Sequence, residues 1–370
     1  MNMKEKKSIP DAIVYLCGNA VNGTKPALQK IEGISLEELF EAAKKHMLSA
    51  IVGMALESAG LKTKCFSQAI AMAQMKNILL DTHRKQVLTA LEAAGVWYMP
   101  LKGSVIKEMY PRYGMREMAD NDILVDPQKR AQVKDIMEDL GFTTEEYNLE
   151  NHDAFFKEPV CNFEMHSRLF NSRTKKQILR YYRDVKDRLI KDEENSFGYH
   201  FAPEDFYIYM IAHEYRHYVQ GGTGLRSLLD TFVFLKQKEK ELDWDYIRRE
   251  TQKLEIGEFE EENRMLAMHL FEEKQLTRSE QSMLDYMFGS NAFGTLANDV
   301  NNQILERGRL GFFFSRLFPS YQYMAGSFPA MRKAPFLYPV FWVCRLMSKF
   351  VTKHEKFMFE LKAALGAWKP

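Results

Sequence analysis

The sequence predicts an α+β fold, a small mixed sheet flanked by an N-terminal and a C-terminal helical region. Three observations predict it. Apolar residues recur at helical spacing from residue 11 to 95. Short strand-like runs broken by Gly and Pro occupy 96–200, and helical spacing returns after about residue 200. The expected divisions are therefore 1–95, 96–200 and 201–370.

Taken in order, Leu36–Leu56 and Ala69–Leu91 read as amphipathic helices. Ser35 with Glu38 resembles a capping box, and Gly95 is a natural stop. Val96–Leu101 reads as a strand, followed by Lys102-Gly103-Ser104 and a brief helix over Val105–Tyr110. After the Pro111–Gly114 loop comes a strand near Asp120–Val125. Asp126 as N-cap with Pro127 at N1 opens a helix to Leu140, stopped by Gly141. Ala154–Lys157 and Val160–His166 read as further strands. Helical periodicity then covers Pro203–Val219, Leu225–Lys238, Trp244–Leu254, Glu258–Glu273 and Arg278–Phe288.

Bulk chemistry bounds the function. The 370 residues are 46% hydrophobic and 27% charged, with net charge +1, so an extended nucleic-acid partner is not expected. Cys17, Cys65, Cys161 and Cys344 lack CxxC spacing and offer no thiolate metal site. The apolar run after the basic N-terminus is short, so no signal peptide is read there. No run approaches the ~20 apolar residues of a membrane helix, and the cytoplasm is the expected compartment.

Residues two apart on a strand share a face. Asp120 and Asp122 then project together, with Ile123 and Val125 turned to the core. Likewise Asn162, Glu164 and His166 share one face, and Cys161, Phe163 and Met165 the other. Three converging carboxylates raise one another's pKa and call for a cation. Transfer from a nucleoside triphosphate needs such acids for divalent ions, together with a tight Gly/Ser turn for phosphate oxygens.

The stretch LKGSVIKEMYPRYGMREMADNDILV, followed by a helix, GF and NFEMHSRLF, resembles a bacterial nucleotidyltransferase family of uncharacterised and polysaccharide-locus proteins. That family belongs to the DNA polymerase beta-like nucleotidyltransferase superfamily. The resemblance covers about residues 36–350, with its motifs at 101–125, 160–170 and 213–230. It implies a nucleotidyltransferase core over 96–200, Gly103 and Ser104 for the triphosphate, and Asp120 and Asp122 for Mg²⁺ or Mn²⁺. Glu164 would be the third carboxylate, or activate the acceptor hydroxyl. Lys102 and Arg116 would neighbour the phosphates, although both also read as ordinary solvated charges. The implied reaction moves a nucleoside monophosphate from NTP to an acceptor hydroxyl, in a small molecule, saccharide or protein, and releases pyrophosphate. The chain departs from the pattern at Asn121, where an apolar residue is usual, and Asn121 then needs a buried hydrogen-bond partner. The spacer from Ser104 to Asp120 is also somewhat long for the superfamily.

His213-Glu214-Tyr215-Arg216-His217 spells the HExxH of zinc proteases. Arg216 before the second histidine, and Gln220 and Thr223 where a glycine and a third histidine would continue it, count against zinc. The resembled family carries histidines here too, and His213, His217, Arg226 and Asp230 match them, as cleft residues touching nucleotide or as a cluster pinning two helices. The aromatic tail Ala334–Phe350 reads as a packed helix, with a peripheral membrane surface as the other reading. Besides the transferase, a degenerate nucleotide-binding module, a zinc hydrolase and a toxin-like modifying enzyme stay open.

Overall fold

The structure is a computed structural model that describes residues 8–148, 150–292, 294–319, 321, 324, 328–332, 334–352 and 354–364. The chain divides into two compact units, Met1–Arg216 with Thr223–Ala292, and His217–Gly222 with Phe293–Pro370.

The first unit begins with helices. Ser8 caps α1 (Ile9–Asn22) by accepting from the Asp11 amide at 3.2 Å. The span Leu36–Leu56, expected as one helix, is two: α2 (Leu36–Lys45) and α3 (Ser49–Ser58). The chain breaks at Met47, which has φ +55°, and the Leu48 amide reaches back to the Ala43 carbonyl at 2.9 Å to close α2. Ser35 accepts from the Glu38 amide, the capping half of the expected box. α4 (Lys64–Ala93) runs 30 residues, about 45 Å.

Next comes β1 (Tyr98–Pro100), then a short α5 (Gly103–Ile106) and β2 (Asn121–Val125). Asp126 accepts from the Gln128 amide and opens a 3₁₀ turn that leads into α6 (Arg130–Asp139). β3 (Thr143–Glu146), β4 (His152–Lys157) and β5 (Cys161–His166) complete the sheet, in the order β1-β2-β5-β4-β3. β2 and β5 are parallel and the other neighbours antiparallel, so the sheet is mixed as expected. Ile123, Val125, Cys161, Phe163 and Met165 pack with Leu80, Val87 and Leu91 of α4 and Val133 and Met137 of α6. That face is the core. The opposite face carries Asp122, Glu164, His166 and His152 beside the buried Leu124.

A short α7 (Lys176–Tyr181) and a hairpin, β6 (Leu189–Lys191) with β7 (Tyr199–Phe201), precede the second helical region. It holds α8 (Pro203–Gln220), α9 (Leu225–Lys238), α10 (Trp244–Lys253), α11 (Gly257–Phe271) and α12 (Arg278–Ser290). A full capping box, Thr277 with Glu280, starts α12.

The second unit contains the C-terminal end of α8, α13 (Leu296–Leu317), α14 (Tyr338–Thr352) and α15 (His354–Ala364). Within it the aromatic tail packs as a helix: Trp342 Nε1 donates to the Leu317 carbonyl and the Tyr338 hydroxyl to that of Pro319. Phe336, Val340 and Met347 remain exposed. Among the described residues no helix is long and apolar enough to cross a membrane.

Candidate active site on the polar face of the sheet

The loop that leads into β2 is pinned on three sides, and this fixes Asp120. Glu117 accepts from the Ser49 hydroxyl and the Ala50 amide, both at 2.8 Å, and so caps α3. Asn77 of α4 donates to the Arg116 carbonyl at 3.2 Å. The Arg116 guanidinium makes a bidentate pair with Asp230 of α9, both bonds 2.8 Å, and Tyr110 donates to the same carboxylate at 2.7 Å. Arg116 is buried, so it is a tie between the loop and α9 and not a solvated charge. It also explains Gly103: a Cβ there would lie 2.7 Å from Arg116 Nη1 and 3.0 Å from the Met118 methyl.

Asp122 lies in β2 directly beside Glu164 of β5, and Leu124 beside His166. The strand parity is as expected, with Asn121, Ile123 and Val125 inside. Asn121 is fully buried and satisfied. Its amide donates to the Leu80 carbonyl at 2.9 Å and its oxygen accepts from Arg84 at 3.2 Å, which ties the strand to α4. Its place between the aspartates is therefore structural.

Asp122 is held on both oxygens. His166 Nε2 lies 2.7 Å from Oδ1 and Lys102 Nζ 3.2 Å from Oδ2. Burial works to raise its pKa, but Lys102 and His166 outweigh burial and hold the carboxyl well below the usual carboxylate range. Asp120 is the opposite case. Burial, then the neighbouring charges of Asp122 and Glu164, raise it to about 6 against Lys102 and Arg226. The three acids thus share one electrostatic field, and two of them differ sharply in proton affinity.

Lys102 occupies a non-glycine left-handed conformation, φ +41°, at the bend between β1 and α5. Backbone strain of this kind concentrates at ligand clamps, and here it aims an ammonium at Asp122. Gly103 and Ser104 are buried at the same bend, and the Ser104 hydroxyl donates to the Leu101 carbonyl at 2.8 Å. Ser104 thereby shapes the turn.

Around these acids stand Lys76 and Tyr209, to which the sequence assigns no role, and Arg226, expected as a cleft residue or a tie between helices. Lys76 of α4 is partly buried beside Asp120, and burial lowers its pKa. The Tyr209 hydroxyl of α8 is fully buried near Asp122 and Glu164 without a hydrogen-bond partner in the structure. Arg226 donates to the Glu117 carbonyl at 3.2 Å and carries its charge close to Asp120. Only the assembled fold brings α4 and α8 to the same acids, so spacing carried no signal for Lys76 or Tyr209.

The HExxH residues divide between the two units. Glu214 is buried among α8, α9 and α11, accepting from Asn263 at 3.1 Å and Thr231 at 3.5 Å. Burial, opposed by these donors, raises its pKa to about 7. His213 is half-buried with its ring 6.3 Å from that of Tyr209, and His217 lies in the second unit. Among the described residues, no group of three candidate ligands within metal-binding range includes His213, Glu214 or His217.

A model of the uncharacterised nucleotidyltransferase family matches residues 32–272, well over half of the chain. The chain belongs to that family. Nothing among curated proteins or solved structures matches it. The match spans the helices α2–α4, the whole sheet and the helices through α11, which includes Asp120, Asp122 and Glu164. General nucleotidyltransferase activity follows from the family, and with it the α+β core expected from the sequence.

Proposed function

We propose that the chain transfers a nucleoside monophosphate from an NTP to an acceptor hydroxyl, and that Asp120, Asp122 and Glu164 form its catalytic face. One observation carries the reading. Asp122 sits in register with Glu164, Asp120 feels both charges, and the strained Lys102 bend meets them on the polar side of the sheet.

The donor set fits a hard divalent ion. Asp120 and Asp122 offer carboxylate oxygens, one kept ionised and the other burdened by like charge that a cation relieves. Bound Mg²⁺ or Mn²⁺ supplies charge neutralisation for the triphosphate and the leaving pyrophosphate. Asp120 and Asp122 would hold it, and His166 keeps Asp122 oriented and ionised. Lys102 is a cation already standing where anions gather, and it passes from Asp122 to a phosphate oxygen as NTP enters. Arg226 adds positive charge near Asp120. Gly103 and Ser104 set the bend that aims Lys102. His213, half-buried on α8, borders the Tyr209 side of this face. The acceptor oxygen forms a bond to the α-phosphorus, and the bond from that phosphorus to the β-phosphate oxygen breaks. The hydroxyl proton passes to a carboxylate of the same face.

The purified chain incubated with the four NTPs and Mg²⁺ releases pyrophosphate, and Asp120→Ala or Asp122→Ala lowers release by at least about 10³-fold while the circular dichroism is unchanged. Equal release from wild type and variants ends the proposal. Metal-dependent nucleotide binding without transfer to any acceptor would make the chain a binding module instead.

A further inference from the structure

The polar face carries a second donor set beside the aspartates. β4 and β5 run antiparallel with His152 opposite His166 and Ala154 opposite Glu164. His152 and His166 are thus direct cross-strand partners, and Glu164 lies two residues from His166 on the same face. Ala154 has no polar side chain to compete for the glutamate.

Glu164 Oε2 lies 3.3 Å from His166 Nε2 and 3.6 Å from His152 Nδ1. One ligand atom from each residue falls within 4.8 Å of the others. Metal–ligand bonds of about 2.0–2.2 Å meeting at a tetrahedral angle separate neighbouring ligand atoms by about 3.4 Å. The two separations to Glu164 bracket that length. The side chains of His152 and Glu164 are 26% and 32% exposed, so a hydrated cation can reach them.

Two imidazoles and a carboxylate suit zinc, cobalt, nickel, iron or manganese, whereas magnesium prefers oxygen alone. We infer that His152, Glu164 and His166 form a binding site for a divalent transition-metal ion, sharing the sheet face with the aspartate pair but drawing on different ligands. Without a cation, Asn151 Nδ2 lies 3.3 Å from His166 Nδ1, which leaves the proton of the neutral ring on Nε2, facing Asp122 at 2.7 Å. On binding, that proton moves to Nδ1, the Asn151 amide turns its oxygen to accept it, and the bond to Asp122 is given up, so Nε2 becomes a ligand while the ring stays neutral. Three protein ligands leave a coordination position for water or an acceptor oxygen. Metal binding at this site needs no nucleotide, so it stands or falls separately from nucleotidyl transfer.

The test is a Co²⁺ titration of the full chain, stripped with chelator and free of nucleotide, read by visible absorption. Wild type should show a saturable band at one equivalent. His152→Ala and Glu164→Gln should each weaken cobalt binding by more than about 100-fold, the upper range for loss of a mere supporting group. Asp120→Asn should keep the band. Glu164→Gln preserves shape and carries the test if His152→Ala folds poorly. No saturable band in wild type, or bands in both variants equal to wild type, would overturn the assignment.

Discussion

The two faces of the five-stranded sheet come from the same strands, yet they are built for opposite ends. Ile123, Phe163 and Met165 point one way into a dry layer against α4 and α6. Asp122, Glu164 and His166 point the other way, among Lys102, His152 and the buried Tyr209 hydroxyl. One face gathers groups whose burial stabilises. The other gathers groups that would repel or lose hydration if left together, and it keeps them in place through Arg116–Asp230, Glu117 on α3 and Asn121 on α4. Stability is spent on one side of a strand and recovered on the other.

Mutating either face should break that symmetry in opposite senses. Phe163 is fully buried, and Phe163→Ala removes its packing and leaves a cavity between sheet and helices. It should destabilise by about 3–5 kcal/mol in urea unfolding. A loss below about 1 kcal/mol would mean that this face is not the main core.

Asp120→Asn should do the reverse with metal removed by chelator. The carboxyl is raised to about 6 in the fold, by burial and then by Asp122 and Glu164. Between the unfolded carboxyl pKa of about 4 and about 6, the folded state binds more protons, so stability falls as pH rises through that window. Above pH 6 the full cost is present, and Asp120→Asn should then stabilise by roughly 1–3 kcal/mol. Below pH 4 wild type and variant should unfold alike. A variant that is less stable at pH 8 would show that Asp120 is not strained by its neighbours.

This contrast was legible in the sequence where alternation alone decides the matter. Parity along residues 120–125 and 160–166 separates acids from apolar residues, and the register of β2 with β5 agrees with it. Helices with strong periodicity were equally plain, Leu225–Lys238 to the residue. Other features rest on pairings that spacing does not encode. β3 is Thr-Thr-Glu-Glu, mostly exposed, and lacks the apolar alternation that marks a strand. The break between α2 and α3 depends on a left-handed Met47, which no Gly or Pro announces. The tie between Arg116 and Asp230 joins residues 114 apart in the chain. His152 joins Glu164 only through the register of β4 with β5. Asn121, which looked like a departure from the family pattern, is explained once α4 is seen to supply both of its hydrogen bonds.

The central claim is that the polar face holds a triphosphate through a divalent ion on Asp120 and Asp122. Calorimetric NTP binding with and without Mg²⁺, on wild type and Asp122→Asn, tests it most directly. Magnesium should tighten wild-type binding by at least about tenfold, or 1.4 kcal/mol, and should make no difference to the variant. Binding that ignores magnesium in wild type, or a magnesium effect that survives in Asp122→Asn, would contradict it.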